Sequence, residues 1–431
     1  MAEPLVVTGG SLLDAKSEQQ ADLLIADGKI ADIGDPGAFN GKGLEVDASD
    51  ALVMPGFVDI QVHFRTPGGE ESEDISSGAA GAALGGVTAC LMMPNTVPTI
   101  DNPDLVSEVL RLGRDTPCDV YTSAAITVDR AGESLVDFVA LYEAGVRVFT
   151  DDGTVVDSED LMRGALEASS QFPDVVISQH AEHSAMVEGG VINQGVVSDR
   201  LGLKGRPSEA EVIIVERDIA LAKQTGGRYH VLHISTAAAS DRVRDAKVAG
   251  LRVSAEVTPQ HLILTEEDVE RLGTSGKMNP PLRTTADVEG LRAALFDGTI
   301  DAVATDHAPH SPSSKAVDLP DAPPGMLGVE TMASVIWDEF VARGLMTPQR
   351  FVALLSASPA AIAGISTHGA PFAIGVPANI AIFDPSERWV IEPKELQSKS
   401  VNTPWPHKDV QGRVRHTICN GALVVHHGTL T

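Results

Sequence analysis

The chain has 431 residues, is 43% hydrophobic, and sets 32 Lys and Arg against 60 Asp and Glu, a formal net charge of −28. That length can bury one large core plus a smaller one. The acidity argues against a nucleic-acid or anionic-membrane surface, both of which need clustered cations. Cys90, Cys118 and Cys419 are too few and too scattered for a disulfide framework or a CxxC metal site. No stretch approaches the ~20 apolar residues of a membrane span, and Met1–Leu13 lacks the basic and long apolar regions of a signal peptide. The expectation is a cytoplasmic protein with neither nucleic acid nor membrane as partner.

In chain order, residues 1–52 alternate apolar and polar positions around the turn signals Asp27-Gly28 and Asp35-Pro36-Gly37. Short β-branched apolar runs follow: Val53–Phe64, Val87–Met92, Asp119–Ala125, Val146–Thr150, Val175–Gln179, Tyr229–Leu232, Arg252–Val257 and Ile300–Thr305. Between them lie stretches of helical period, Glu133–Ala144, Glu159–Ser170, Ser208–Thr225, Ala237–Ala249 and Thr285–Phe296. Gly145, Gly226, Gly250 and Gly298 stand where those helices should end. Residues 370–431 return to strand alternation, at Ala378–Phe383 and Val414–Val425. The pattern predicts an α/β fold: a (β/α)8 TIM barrel over 53–367, with a small β-rich domain formed from both chain termini, 1–52 and 368–431. A doubly wound sheet would call for a Gly-rich loop after the first strand, and none is present. The Pro-rich segment Ser311–Pro324 reads as a lid.

The chemistry-bearing residues fall at the strand ends, where the active sites of such barrels form. The first run closes on Gln61, His63 and Arg65, which a period of two places on one face. Later runs end in Met93-Pro94-Asn95-Thr96, Thr150-Asp151-Asp152-Gly153, His180-Ala181-Glu182, His233, Thr258-Pro259-Gln260-His261 and Thr305-Asp306-His307-Ala308-Pro309-His310. A lone His at a strand end is ordinarily a loop residue. Repetition on strand after strand points instead to a rim of imidazoles and carboxylates, the donor set for Zn²⁺ or a similar divalent ion.

The segments Val62–Arg65, Met93–Thr96, Phe149–Gly153, Glu256–Pro259, Lys277–Arg283, Ala304–His310, Gly375–Asp384 and Asn402–Pro404 occur in an order that resembles the class I dihydroorotases of the amidohydrolase superfamily. The resemblance runs nearly end to end. It implies reversible, metal-dependent cyclisation of N-carbamoyl-L-aspartate to L-dihydroorotate, a step of pyrimidine biosynthesis, with one or two Zn²⁺ ions. It implies His63, Asp152 and Asp306 on the more buried metal and His180 and His233 on the other. Asp306 would also carry the proton. Arg65, Asn95 and His310 would clamp the substrate carboxylate, and Asn279 would touch the ring. It allows a homodimer and an association with aspartate transcarbamoylase. Two alternatives stand beside it: an inactive subunit scaffolding that transcarbamoylase, and an allantoinase or hydantoinase. Retention of five ligand candidates argues against the first, and Arg65 with Met93–Thr96 against the second.

The chain departs from the family pattern at Gln61, where a histidine is usual; this is expected to be a weak ligand that lowers occupancy of the buried site. Gln260 and His261 are expected to position ligands. Arg147 matches the position of the carboxylated lysine of other superfamily members and cannot take that role. Asp151 reads equally as a residue capping its own turn, and His230 and His307 as structural or solvent-facing.

Overall fold

Gly56 breaks the first apolar run in two. In the computed structural model, which describes residues 3–431, Leu52–Pro55 and Phe57–Val62 are separate strands rather than one. A Cβ at Gly56 would collide with the Thr88 side chain, so only glycine permits this approach. Leu52–Pro55 pairs with Ser11–Leu13 and with Ile380–Val390, so the chain leaves the terminal sheet at Gly56 and not at residue 53.

The strands β1 (Phe57–Val62), β2 (Val87–Met92) and β3 (Asp119–Thr122) form one parallel sheet. A second parallel sheet contains β4 (Val148–Phe149), β5 (Val176–Gln179), β6 (Tyr229–Val231), β7 (Val253–Val257) and β8 (Ala302–Val303). Parallel bridges Ala124↔Phe149 and Val62↔His307 join the two sheets at both edges, so the strand order closes on itself. Covered on both faces, these strands read as continuous apolar runs rather than alternations. Their facing side chains, Val58, Ile60, Ala89, Leu91, Val148, Val176, Ala302 and Ala304, form a cluster of their own.

Between the strands run α1 (Ile75–Leu84), α2 (Pro103–Leu112), α3 (Phe138–Glu143), α4 (Glu159–Ser169), α5 (Glu209–Thr225), α6 (Ala237–Val248) and α7 (Thr285–Asp297). Side-chain caps set most of their starts: Asp74, Asn102, Asp137, Ser158, Thr236 and Thr284 each accept a backbone N–H of the first turn. The helix expected over Glu133–Ala144 begins only at Phe138, because Asp137 caps it there and accepts from Ala140 N at 3.0 Å.

Both chain ends meet in a seven-stranded sheet that includes Ser11–Leu13, Leu52–Pro55, Ile380–Val390 and Asp409–Cys419. Leu23, Ile25 and Val46 of the first segment bury against Ile380, Ile382 and Ile418 of the last. The segment 311–324 is fastened down by two buried lysines. Lys315 Nζ donates to Thr274 O at 2.9 Å and Pro323 O at 2.7 Å, and Lys277 Nζ to Leu319 O at 2.9 Å and Pro320 O at 2.8 Å. Among the described residues no helix is long and apolar enough to cross a membrane.

Candidate metal and substrate site

The ends of the eight strands point to one rim, which holds a cavity of about 160 Å³. His63, Arg65, Asn95, Asp152, His180, Asn279, Asp306 and His310 line it. Gln61 and His233 are fully or almost fully buried against the same cluster. All ten residues singled out in the sequence therefore converge here. Three of them, Arg65 (φ 35°), His233 (φ 31°) and Asp306 (φ 51°), hold left-handed backbone. For non-glycine residues that conformation costs about 1–3 kcal/mol each and survives only where the surroundings impose it.

The donor atoms group around Asp152. Asp152, His180 and His233 each offer one atom, all within 4.8 Å of one another and all buried. His180 Nδ1 stands 2.9 Å from His233 Nε2, a spacing suited to two ligands on one ion. On the other side of Asp152, His63 Nε2 lies 3.4 Å from Asp152 Oδ2 and 2.9 Å from Asp306 Oδ1. Two imidazoles and a carboxylate on one side, and an imidazole with two carboxylates on the other, fit divalent cations with Asp152 shared between them. Gln61 does not present an oxygen here. Its Nε2 donates to Asp152 Oδ1 at 3.2 Å, while its buried Oε1 has no partner.

Asn95 orients a ligand candidate with one end of its amide and lines the cavity with the other. Its Oδ1 accepts a hydrogen bond from His63 Nδ1 at 2.8 Å, which fixes the imidazole with Nε2 toward the carboxylates. Its Nδ2 remains on the cavity side, beside Gly153. Arg65 anchors through Nε to Pro309 O at 3.2 Å, and its Nη2 lies 3.3 Å from His310 Nε2. Burial lowers Arg65 to about 10, against the opposing charges of Asp306, Asp152 and Glu73; it stays cationic at neutral pH. Burial and the neighbouring Arg65 push His310 down to about 3, so that imidazole is neutral.

Sequence reasoning assigned no role to the residues that support this cluster. Glu182, two residues past His180, lies with its Oε2 3.3 Å from His180 Nε2 and pairs with Arg206 at 3.0 Å and Arg283 at 3.4 Å. Burial alone would raise its pKa; the hydrogen bond and charge of His180 and the two guanidiniums hold it at about 2. Arg206 also donates to Asn279 Oδ1, which turns that amide's nitrogen toward the cavity. The proximity of Glu182 to His180 in the chain was a signal of sorts; the distant Arg206 offered none.

The reading of Asp151 is corrected, and the other neighbours of the cluster take definite places. Asp151 does not cap its own turn with its carboxylate: Oδ1 accepts from Ile126 N at 2.8 Å and Thr127 N at 3.0 Å, tying the turn after β4 to the loop after β3. Arg147 stands away from the rim, paired with Asp174 at 2.7 Å and stacked on Tyr142. His230 and His307 are buried, which fits the structural one of their two readings. His307 Nδ1 accepts from Gly328 N at 3.1 Å, and its backbone oxygen accepts from His63 N at 2.8 Å. Gln260 donates to Thr305 O at 3.1 Å, next to Asp306. His261 is held between Thr258 and Pro280.

The parallel strands close into a ring with imidazoles and carboxylates gathered at one rim. The chain superposes on the L-hydantoinase (dihydropyrimidinase) from Arthrobacter aurescens with a TM-score of 0.90, covering 100% of this chain and 98% of that one at 23% identity. It does so on dihydropyrimidinase from Brevibacillus agri with a TM-score of 0.86 at 22% identity, covering 99% and 96%. At such identities the likeness is one of fold. In sequence, residues 50–239 match the family of dihydro-orotase-like proteins. The chain is 42% identical to the dihydroorotase of Pelotomaculum thermopropionicum over 424 residues, 98% of each chain, and 39% identical to that of Mycobacterium tuberculosis over 416 residues, 96% of each. The chain belongs to the dihydroorotase family.

Proposed function

We propose that the chain is a dihydroorotase, interconverting N-carbamoyl-L-aspartate and L-dihydroorotate in pyrimidine biosynthesis, on a (β/α)8 barrel completed by a β-domain of both termini. The observation that carries this reading is the single cavity where Arg65, Asn279 and His310 face the Asp152–His180–His233 cluster and the His63–Asp306 pair. The substrate needs both halves: a cation for its carboxylate and a donor set around its cyclic amide.

His63, Asp152, His180, His233 and Asp306 would hold Zn²⁺, which when bound supplies Lewis acidity at the amide carbonyl and acidifies water. The chain's own groups do the rest. Arg65 offers a planar, permanently charged donor to the substrate carboxylate. Asn279, turned by Arg206, presents its amide nitrogen to the ring. Asp306 carries the proton: in ring closure it takes one from the carbamoyl nitrogen and returns it to the departing oxygen, and in ring opening the reverse. Its left-handed backbone keeps the carboxylate on the cavity side of His63. The five retained donor residues count against an inactive scaffold.

The test is a cyclisation assay on carbamoyl-aspartate, paired with metal analysis of protein purified without added zinc. Turnover with bound metal is expected, and Asp306→Asn should lower kcat by about 10²- to 10⁴-fold while substrate still binds. Turnover of hydantoin or allantoin with none of dihydroorotate would overturn the choice of substrate. Zero metal with zero turnover would move the reading to a scaffold.

A further inference from the structure

Behind the wall of the substrate cavity one buried side chain, Asn402, is wholly committed to backbone. Its Oδ1 accepts from His310 N at 3.2 Å, and its Nδ2 donates to Ala308 O at 3.2 Å and to Gly325 O at 3.0 Å. A primary amide has two N–H donors and a carbonyl acceptor, so both ends of this one are engaged. Among the described residues those three backbone groups have no other hydrogen-bond partner. Asn402 is only 3% exposed, so removing its amide leaves them unanswered inside the protein.

The three groups belong to two passes of the chain. Residues 308–310 leave β8 along the rim, the segment 311–323 departs, and the chain returns at Pro324 and Gly325. Ala308, His310, Pro324 and Gly325 all line the cavity. The passes are pressed together: a Cβ at Gly325 (φ 135°) would stand 2.6 Å from Ala308 Cβ and 2.8 Å from Ala308 O. The first pass also carries the anchor of Arg65, whose Nε donates to Pro309 O at 3.2 Å, between two residues that Asn402 holds. His310 Nε2 donates to Pro324 O of the second pass at 2.8 Å and lies 3.3 Å from Arg65 Nη2. Asn402 itself comes from the chain between the terminal strands Ile380–Val390 and Asp409–Cys419. That chain is fastened to the barrel on both sides. The backbone oxygen of Asn402 accepts from Leu327 N at 3.1 Å, while Ser400 Oγ donates to Ser72 O at 2.7 Å and Lys399 Nζ to Glu70 O at 2.9 Å, in the loop after β1.

This inference rests on the dihydroorotase reading and deepens it. Paired donors grip a carboxylate only where their spacing is held to within about 0.5 Å. Arg65 and His310 meet across 245 residues, so their spacing is set by whatever fixes the 308–310 pass. The residues on either side of Asp306 are held separately: Thr305 N donates to Asp59 at 3.1 Å, and His307 is tied to His63 N and Gly328 N. Loosening Asn402 therefore reaches the carboxylate grip and spares the donor cluster. We propose that Asn402 is a positioning residue of the reaction, which from the C-terminal segment holds Arg65 and His310 at the spacing that receives the substrate carboxylate.

The experiment compares wild type with Asn402→Ala and Asn402→Asp, each as the full chain, in ring opening of dihydroorotate, with metal content and thermal unfolding measured alongside. Asn402→Asp keeps the acceptor and the shape but loses both donors, so the question stays answerable where the alanine variant fails to fold. Either variant should raise KM about 10- to 100-fold, the scale of a lost charge-assisted hydrogen bond, and leave kcat within about threefold and metal per chain unchanged. A lower thermal midpoint with unchanged KM is what a strut of the fold alone gives, and it would overturn the assignment. So would a fall in kcat at constant KM, or loss of metal together with activity, since both place the damage at the donor cluster. Wild type that does not turn over dihydroorotate brings down the dihydroorotase reading itself. Wild-type turnover with a KM indifferent to both variants brings down this inference alone.

Discussion

Gln61 sits fully buried at the foot of the imidazole and carboxylate cluster, and its amide nitrogen, a donor, is the end turned toward Asp152. A donor cannot ligate a cation, so in this geometry the residue steadies Asp152 and leaves one coordination position to others. An imidazole there would bring a lone pair to a cation held by the same carboxylate. Gln61→His is therefore expected to raise the metal content per chain in protein purified without added metal. Unchanged stoichiometry by elemental analysis would count against this account. At this scale the residue types and the period of two already pointed to His63 and Arg65. The hydrogen bond from His63 to Asn95, which decides which imidazole nitrogen faces Asp152 and Asp306, spans 32 residues and could not be read from spacing.

Between β6 and β7 two buried side chains share a proton. Glu256 Oε2 lies 3.2 Å from His230 Nε2, and His230 Nδ1 lies 2.8 Å from Ser254 Oγ. Burial raises Glu256 to about 8 and lowers His230 to about 3, so both are neutral near pH 7 and the carboxyl donates to the imidazole. The sign follows: the unfolded chain ionises Glu256 from its ordinary 4.5 upward, while the folded chain keeps the proton to about 8. The unfolded state then binds fewer protons, and stability falls as pH rises across that window. Glu256→Gln keeps the donor and removes the ionisation. Its urea midpoint should gain on wild type progressively between about pH 5 and 8, at constant metal concentration; parallel curves would refute the buried neutral pair. Among elements, strand runs and helix caps were readable because each depends on a few adjacent residues. The late start of α3 at Phe138 was not, since apolar periodicity continues upstream of the Asp137 cap.

The molecule is held together by its two ends. Leu52–Pro55 lies between Ser11–Leu13 and Ile380–Val390, so strands from both ends of the chain complete one sheet. Removing residues 368–431 would strip Leu23, Ile25 and Val46 of their apolar cover and open a sheet edge. The truncated chain is expected to be insoluble or to lose cooperative unfolding; a soluble product with a sharp thermal transition would contradict this. The sequence by itself determined the alternation of strands and helices, the β-rich ends and the identities of the candidate ligands, because periodicity and residue chemistry are local properties. Only the tertiary structure decided which of them act together. His63 and Asp306 meet across 243 residues, Arg206 and Asn279 across 73, and Asp151 holds the loop after β3 across 24 and 25 residues. Those encounters depend on how the strands close into a ring and on where burial places each charge, neither of which any short segment encodes.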